Sequence, residues 1–317
     1  MNRLPVCRAD QLAEHPAEQR WLIESLWADQ AVGIVGGEPK CCKSFLALDL
    51  AVAVASGADC LRRFRPATSG PVLLFSGEDP LDVVRRRLEG IAGAAGIPFA
   101  GLDVHVITAP TLRLDLGADQ QRLIDTVDAT RPKLLVLDPF VRLHRIDENA
   151  AAEVAPVLGY LRALQRRFHT AVLLVHHARK GAGHLRAGQA LRGSSELHAW
   201  GDSNLYLRRK GEQLHLTVEH RAAPSGEELL LELGAHDQGL ALHPVDPPSD
   251  GAKRDPAPSA LERIEQVLAC ASGPLTQREL RGTCRMKAHT VGQALATLIG
   301  TGRVHRAGDG YRLAESP

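Results

Sequence analysis

Several features are scarce or missing in this sequence of 317 residues. Aromatic residues make up only 4% of it, so the folding pattern has to be read from aliphatic side chains. No uninterrupted apolar run approaches the roughly 20 residues that a helix needs to cross a bilayer. Helical membrane spans are therefore excluded, and no membrane partner is expected. No stretch near the start joins basic residues to a short apolar run, so no secretory signal is expected and the cytoplasm is the expected location. The six cysteines (Cys7, Cys41, Cys42, Cys60, Cys270, Cys284) contain no Cys-x-x-Cys pair and no repeated spacing. They read as reduced thiols, not as a disulfide framework or a zinc site. The adjacent Cys41 and Cys42 leave a metal or redox reading open, without a His or Cys cluster to accompany them. The net charge of +1 points to no partner class by itself.

What is present centres on Ala31 to Ser44, AVGIVGGEPKCCKS. A short apolar run leads into a Gly-Gly-Glu-Pro turn, then Lys43-Ser44, then the apolar-periodic segment Phe45 to Ala55. This is strand, phosphate-sized loop, helix. The P-loop pattern asks for Gly, four residues, Gly, Lys and Ser or Thr. Gly37, Lys43 and Ser44 fit, and Cys42 stands where the second glycine belongs. A helix beginning near Lys43 aims free N–H groups and its positive end at the loop, which suits a phosphate. The candidate nucleotide-binding residues are thus Gly37, Glu38, Pro39, Lys40, Cys41, Cys42, Lys43, Ser44 and Phe45. Lys43 supplies a positive charge for the outer phosphates, and the Ser44 hydroxyl can ligate Mg2+. At the Cys42 position a glycine permits unusual backbone angles and close approach, whereas a Cβ and a sulfur are expected to crowd a nucleotide.

From Ala31 onward, strand-like and helix-like segments alternate. Near-continuous apolar runs at 71–75, 133–137 and 171–175 are what strands buried on both faces look like, and the alternation indicates a parallel sheet covered by helices. Ligands of such sheets bind beyond the carboxyl ends of the strands. That is where polar residues fall here: Ser76-Gly77-Glu78-Asp79, Asp138-Pro139 and His176-His177. Asp138, closing an apolar strand downstream of a P-loop, reads as the Walker B residue holding magnesium. Glu78 is placed to orient or deprotonate an attacking water. Asp79, just before Pro80, reads as a helix cap. One of the two histidines is expected to be structural and the other, His177, to meet the γ-phosphate.

The runs GGEPKCCKSFLALDLAVAVASG, GEDPLDVVRRRL, LLVLDPFVRLHRIDEN, LLVHHARK and LRGSSELHAWGDSNLYLRR, in that order, resemble the RecA-like ATPases of the RepA type. These are hexameric replicative helicases of plasmids and mobile elements. The resemblance spans residues 18–225. It implies ATP and Mg2+ as cofactors, Lys43 and Ser44 as nucleotide and magnesium residues, Glu78 as the catalytic glutamate, an arginine at Arg87, Asp138 as Walker B and His177 at the phosphate-sensing strand end. It also implies a homo-oligomer, in this family a hexamer. The Gly-rich basic stretch 180–189 reads as a mobile loop, which in RecA-like rings lines the channel and touches single-stranded DNA; a plain surface loop is the other reading. Arg221 and Arg192 are arginine-finger candidates acting on a neighbour's site, or ordinary surface charges. Strand-like segments at 203–207, 213–219 and 228–233 suggest an antiparallel extension of the sheet.

Residues 245–258 are rich in Pro, Asp and Gly and read as a stiff linker. Beyond it come three helical segments and a hairpin around Ala307-Gly308-Asp309-Gly310. Thr276 and Glu279 have capping-box spacing at the second helix. This order resembles a winged helix-turn-helix domain. From Lys253 onward there are ten Lys/Arg against six Asp/Glu, a net of +4, while the rest carries 28 against 31, a net of −3. A basic small domain is a modest nucleic-acid footprint. The residues expected to touch duplex DNA are Arg285, Lys287, His289, Thr290, Gln293, Arg303 and Arg306.

The expected architecture is α/β: a lead-in over 1–30, a RecA-like P-loop ATPase domain over 31–244, a linker over 245–258 and a winged helix over 259–317. The expected function is an ATP-driven DNA helicase, translocase or replication ATPase of a plasmid, phage or integrated element, hydrolysing ATP at subunit interfaces. The alternative is an ATP-switched DNA-binding regulator or replication-initiation factor with little or no unwinding.

Overall fold

The computed structural model describes residues 4, 6–11, 20–177, 195–210, 213–224, 226–236, 239–245, 260–271, 273–284, 286 and 288–314. The chain divides into two compact units, Met1–Pro247 and Pro248–Pro317.

In the first unit the elements run β1 (Trp21–Ile23), β2 (Trp27–Ala28), β3 (Val32–Gly37), α1 (Lys43–Ser56), β4 (Val72–Ser76), α2 (Leu81–Ala94) and β5 (Val104–Val106). They continue with α3 (Gly117–Thr130), β6 (Leu134–Asp138), α4 (Ala151–Phe168), β7 (Ala171–His177), α5 (Ser195–Trp200), β8 (Ser203–Lys210), β9 (Gln213–His220), β10 (Leu229–His236) and β11 (Gly239–Val245). Nine strands form one sheet in the order β11-β10-β9-β8-β3-β7-β6-β4-β5.

The apolar runs alternate between the two faces of this sheet. Val72 and Leu74, Leu134 and Val136, Leu173 and Val175 pack on one side with α1 and α2. Leu73 and Phe75, Leu135 and Leu137, Val172 and Leu174 pack on the other with α3 and α4. A strand buried on both faces has no polar alternation to show, which is why these segments read as unbroken apolar runs. α1 is buried at every position from Leu46 to Val54. Its one charged residue there, Asp49, is held by the Leu61 N–H at 2.6 Å and by Arg62 at 2.9 Å.

Three expectations need correction. β8 pairs in parallel with β3, Gly37 opposite Leu207, so the antiparallel extension starts only at β9. It also has a further member, β11, which pairs antiparallel with β10. The lead-in is not peripheral: Leu22, Ile23, Leu26 and Trp27 are each at most 1% exposed and belong to the main core.

The second unit comprises α6 (Ala260–Ala269), α7 (Gln277–Cys284), α8 (Ala288–Gly300), β12 (Val304–Ala307) and β13 (Gly310–Leu313), the two strands forming an antiparallel hairpin. Ile264, Leu268, Leu280, Val291, Leu295, Leu298 and Val304 make its own core. At the start of α7 the Thr276 N–H donates to Glu279 at 2.8 Å and the Glu279 N–H donates to the Thr276 hydroxyl at 3.3 Å, a reciprocal cap.

Candidate functional site

β3 ends at Gly37 and α1 starts at Lys43, so the chain turns over the carboxyl edge of the sheet within five residues. The turn needs left-handed backbone at Lys40, φ 64°, and at Cys42, φ 63°. Gly37 is required by close approach: a Cβ there would lie 2.2 Å from the Leu207 carbonyl oxygen and 2.7 Å from Cys41 Sγ. Cys42 thus keeps the backbone shape that a glycine gives this position. Its half-buried sulfur packs against the main core and takes a hydrogen bond from Arg209, at the end of β8. The thiol is held up from its ordinary pKa, chiefly by burial, with Arg209 acting against that.

One cleft at this edge is lined by residues 40–45 together with Glu78, Asp79, Arg87, Asp138, Val175 and His177. The strand order β3-β7-β6-β4 brings these groups together from four neighbouring strand ends. Gly37, Glu38 and Pro39 shape the turn behind it. The buried Lys43 ammonium donates to the Glu38 carbonyl at 2.8 Å. Burial pulls its pKa down, and Cys41 and Asp138 act against that. Asp138 is buried, and burial raises its pKa to about 6 despite a hydrogen bond from the Ser44 hydroxyl. A buried carboxylate bonded to a hydroxyl, beside an ammonium at a helix start, is a donor set that fits a hard cation and a phosphate. Among the described residues no group of three or more His, Cys, Asp or Glu gathers as a transition-metal site, at Cys41-Cys42 or elsewhere.

Glu78 leaves β4 and reaches the cleft, where Arg142 holds it at 3.0 Å. Asp79 is not the helix cap it resembles. α2 has no side-chain cap, and the Asp79 carboxylate accepts two hydrogen bonds from Arg87, at 2.5 and 3.1 Å. A guanidinium fork satisfies a carboxylate better than one backbone N–H does. Arg87 also stands over the Phe45 ring at 5.1 Å, which ties α2 to the start of α1. Of the two histidines, His176 is 1% exposed and edge-on to Phe140, while His177 lines the cleft. Burial, and then Lys43, lower the His177 pKa, so it faces the cleft as a neutral imidazole.

Sequence reasoning missed Arg142 and Arg209. Arg142 lies in a short 3-10 turn, Phe140–Arg142, that no periodicity announces. Arg209 reaches the turn only because β8 lies parallel to β3.

Arg221 is elsewhere. β9 runs back against β8 with His220 opposite Ser203, so Arg221 sits at the amino edge of the parallel strands, away from its own cleft. There it pairs with Asp202 at 3.4 Å and donates to the Ala199 carbonyl. Arg192, the stretch 180–189, Arg285 and Lys287 lie outside the described residues. In the second unit His289, Thr290 and Gln293 stand in the first half of α8. Arg303 is paired with the mostly buried Glu265 of α6 at 2.7 Å, and Arg306 stands over the Tyr311 ring at 5.9 Å.

A parallel sheet with a strand–loop–helix phosphate turn at its carboxyl edge and an acidic residue on a neighbouring strand end is a P-loop ATPase core of RecA-like fold. The AAA_25 family model, an AAA domain, matches residues 2–183. That is more than half of the chain, and the chain belongs to this family. Among solved structures, the ATPase domain of a helicase superposes with a TM-score of 0.53 at 12% identity, over 68% of this chain and 86% of that one. The RadB recombinase aligns at 18% identity over 68% of this chain and 91% of that one, with a TM-score of 0.49. At such identities the likeness is one of fold.

Proposed function

We propose that the chain is an ATP-driven helicase, translocase or replication ATPase of the RepA type, working on DNA as a homo-oligomer. The observation that carries this is the cleft, where Lys43, Ser44, Asp138, Glu78 and His177 converge from four strand ends. Ser44 and Asp138 would hold Mg2+, which neutralises charge on phosphate oxygens when bound. Lys43 gives up its contact with the Glu38 carbonyl to meet the outer phosphates. Glu78 takes the proton of the attacking water. His177, neutral beside Lys43, can donate one hydrogen bond to the terminal phosphate and so report its presence. Arg221, at the far edge of the sheet, is suited to a neighbouring subunit's cleft and not to its own. The second unit, three helices and a hairpin with exposed polar residues early on α8, supports a winged helix that binds duplex DNA, while single-stranded DNA passes the ATPase ring.

The Cys42–Arg209 contact favours a second reading, an ATP-switched DNA-binding regulator that hydrolyses slowly, because it ties the phosphate turn to β8. A forked-duplex displacement assay with ATP and Mg2+ separates the two. Unwinding that disappears in Lys43→Ala supports the helicase; ATP-dependent DNA binding without displacement supports the regulator. Unchanged ATP affinity in Lys43→Ala, measured by calorimetry, would sink the site assignment itself.

A further inference from the structure

Arg142 lies outside every motif of the cleft, yet it makes the one hydrogen bond to Glu78 found among the described residues, from Nε to Oε1 at 3.0 Å. It does not line the cleft, whereas Glu78 does. One carboxylate oxygen is therefore held from behind and the other is left for the cleft. The mount of Arg142 is rigid. Phe140 and Leu143 on either side are fully buried, and the Leu143 carbonyl accepts the Leu114 N–H at 2.6 Å. The strand ends bearing Glu78 and Asp138 are also locked together: Ser76 pairs with Asp138, and the Gly77 N–H donates to the Asp138 carbonyl at 2.7 Å. The space for Arg142 exists because residue 77 has no side chain. A Cβ on Gly77 would come within 2.9 Å of Arg142 Cβ and 3.4 Å of its Cγ. Gly77 has no positive φ, so its backbone would accept alanine and only the space forbids it.

We propose that Arg142 is a positioning residue for hydrolysis, fixing the side chain of Glu78 so that its second oxygen faces the attacking water. This rests on the reading of Glu78 as the base. A glutamate half exposed at a cleft mouth samples several rotamers, and holding it in one removes that search from each turnover. The pair is itself exposed, with side chains 59% and 41% accessible, so its contribution is modest. An exposed pair of this kind is worth a factor of about five at most.

The test is steady-state ATP hydrolysis and ATP binding in the full-length protein. Arg142→Ala should lower kcat about fivefold and leave KM and ATP affinity unchanged. Arg142→Lys, a point charge without the fork, should recover part of the loss. Gly77→Ala, which evicts the guanidinium without touching either charge, should lower kcat in the same way, and the double variant should be no worse than Arg142→Ala alone. A kcat that stays level or rises in Arg142→Ala overturns the proposal, as do losses that multiply in the double variant or a KM that climbs in step. Glu78→Gln is the control. If it still hydrolyses ATP, the reading of Glu78 fails and the role of Arg142 fails with it. If it binds ATP without hydrolysing it while Arg142→Ala is fully active, only the assignment of Arg142 falls.

Discussion

The hydroxyl of Ser44, at the start of α1, is hydrogen-bonded to the carboxylate of Asp138, the last residue of β6. The two residues are far apart in the chain and meet because β6 and β3 are separated by β7 alone. Between them they define the place where a hard cation would sit.

That place is costly to the empty protein. Asp138 has a pKa of about 6 in the fold, raised mainly by burial, against about 3.9 in an unfolded chain. A carboxyl group whose folded pKa is raised destabilises the fold above that pKa, and the penalty vanishes below the unfolded value. The shift corresponds to roughly 3 kcal/mol. Asp138→Asn should therefore melt higher than the unaltered protein at pH 7.5 without nucleotide, with the advantage shrinking as the pH falls from 6 towards 4. Magnesium and ATP should raise the melting temperature of the unaltered protein but not of the variant. Scanning calorimetry at pH 7.5 and pH 4.5 reads both. An advantage that persists at the lower pH would mean that the carboxylate is not the source of the cost.

Cys42 gives a second expectation. It holds the left-handed backbone of a glycine position, φ 63° and ψ 25°, which costs a non-glycine residue about 1 kcal/mol. Its sulfur is bonded to Arg209 and so is drawn off the phosphates. Cys42→Gly should then raise the melting temperature by about 2 to 4 °C and leave ATP affinity and turnover unchanged. A rise in affinity with no change in melting would show that the sulfur crowds the nucleotide after all.

How far the sequence foretold the fold and the cleft differs from residue to residue. β4, β6 and β7 were legible because strands buried on both faces are continuous apolar runs, and because each ends in the polar residues that face a ligand. The place of β8 was not legible. Nothing in Ser203–Lys210 says whether a strand lies parallel or antiparallel to its neighbour, and the parallel pairing with β3 is what brings Arg209 to Cys42. β11 was missed because Gly239, Ala241 and Pro244 weaken its apolar pattern and its pairing is with β10 alone. Asp79 before Pro80 satisfies every local rule for a cap, but its partner Arg87 lies two helical turns away, beyond the reach of those rules. Arg303 was read as a wing residue. The mostly buried Glu265, which needs a counter-charge, claims it instead.

A third prediction follows from where Arg221 stands. It occupies the edge of the sheet opposite the phosphate turn and is held by Asp202 and the Ala199 carbonyl. Any action on ATP must then be on the cleft of a neighbouring subunit, where an arginine finger adds on the order of a thousandfold to the rate. Specific activity should rise with protein concentration. Arg221→Ala and Glu78→Gln proteins, each inactive, should regain activity when mixed, because some interfaces then join an intact glutamate to an intact arginine. Activity per subunit that stays constant down to concentrations where light scattering finds monomers would rule this out.

The last prediction concerns the second unit. His289 and Gln293 are exposed in the first half of α8, with Thr290 between them, while Val291, Leu295 and Leu298 on the same helix are buried in the unit's own core. A helix anchored on one face and polar at the start of the other is arranged for its early residues to meet base edges in a major groove. The hairpin places Arg306 beside Tyr311, free of any carboxylate among the described residues, whereas Arg303 is engaged by Glu265. The two arginines should therefore behave differently. Arg306→Ala should weaken duplex binding about equally for all sequences and flatten its salt dependence by roughly one counterion. Arg303→Ala should act mainly through stability, lowering the melting temperature while leaving the salt slope intact. Gln293→Ala should shift sequence preference, by about 1 to 3 kcal/mol at the base pair it reads. A chain ending at Val245 should lose duplex binding while keeping ATP binding. Fluorescence anisotropy over a salt series measures all four. Full duplex affinity in the truncated chain would make the second unit a protein-contact module and move the DNA contacts to the ATPase body.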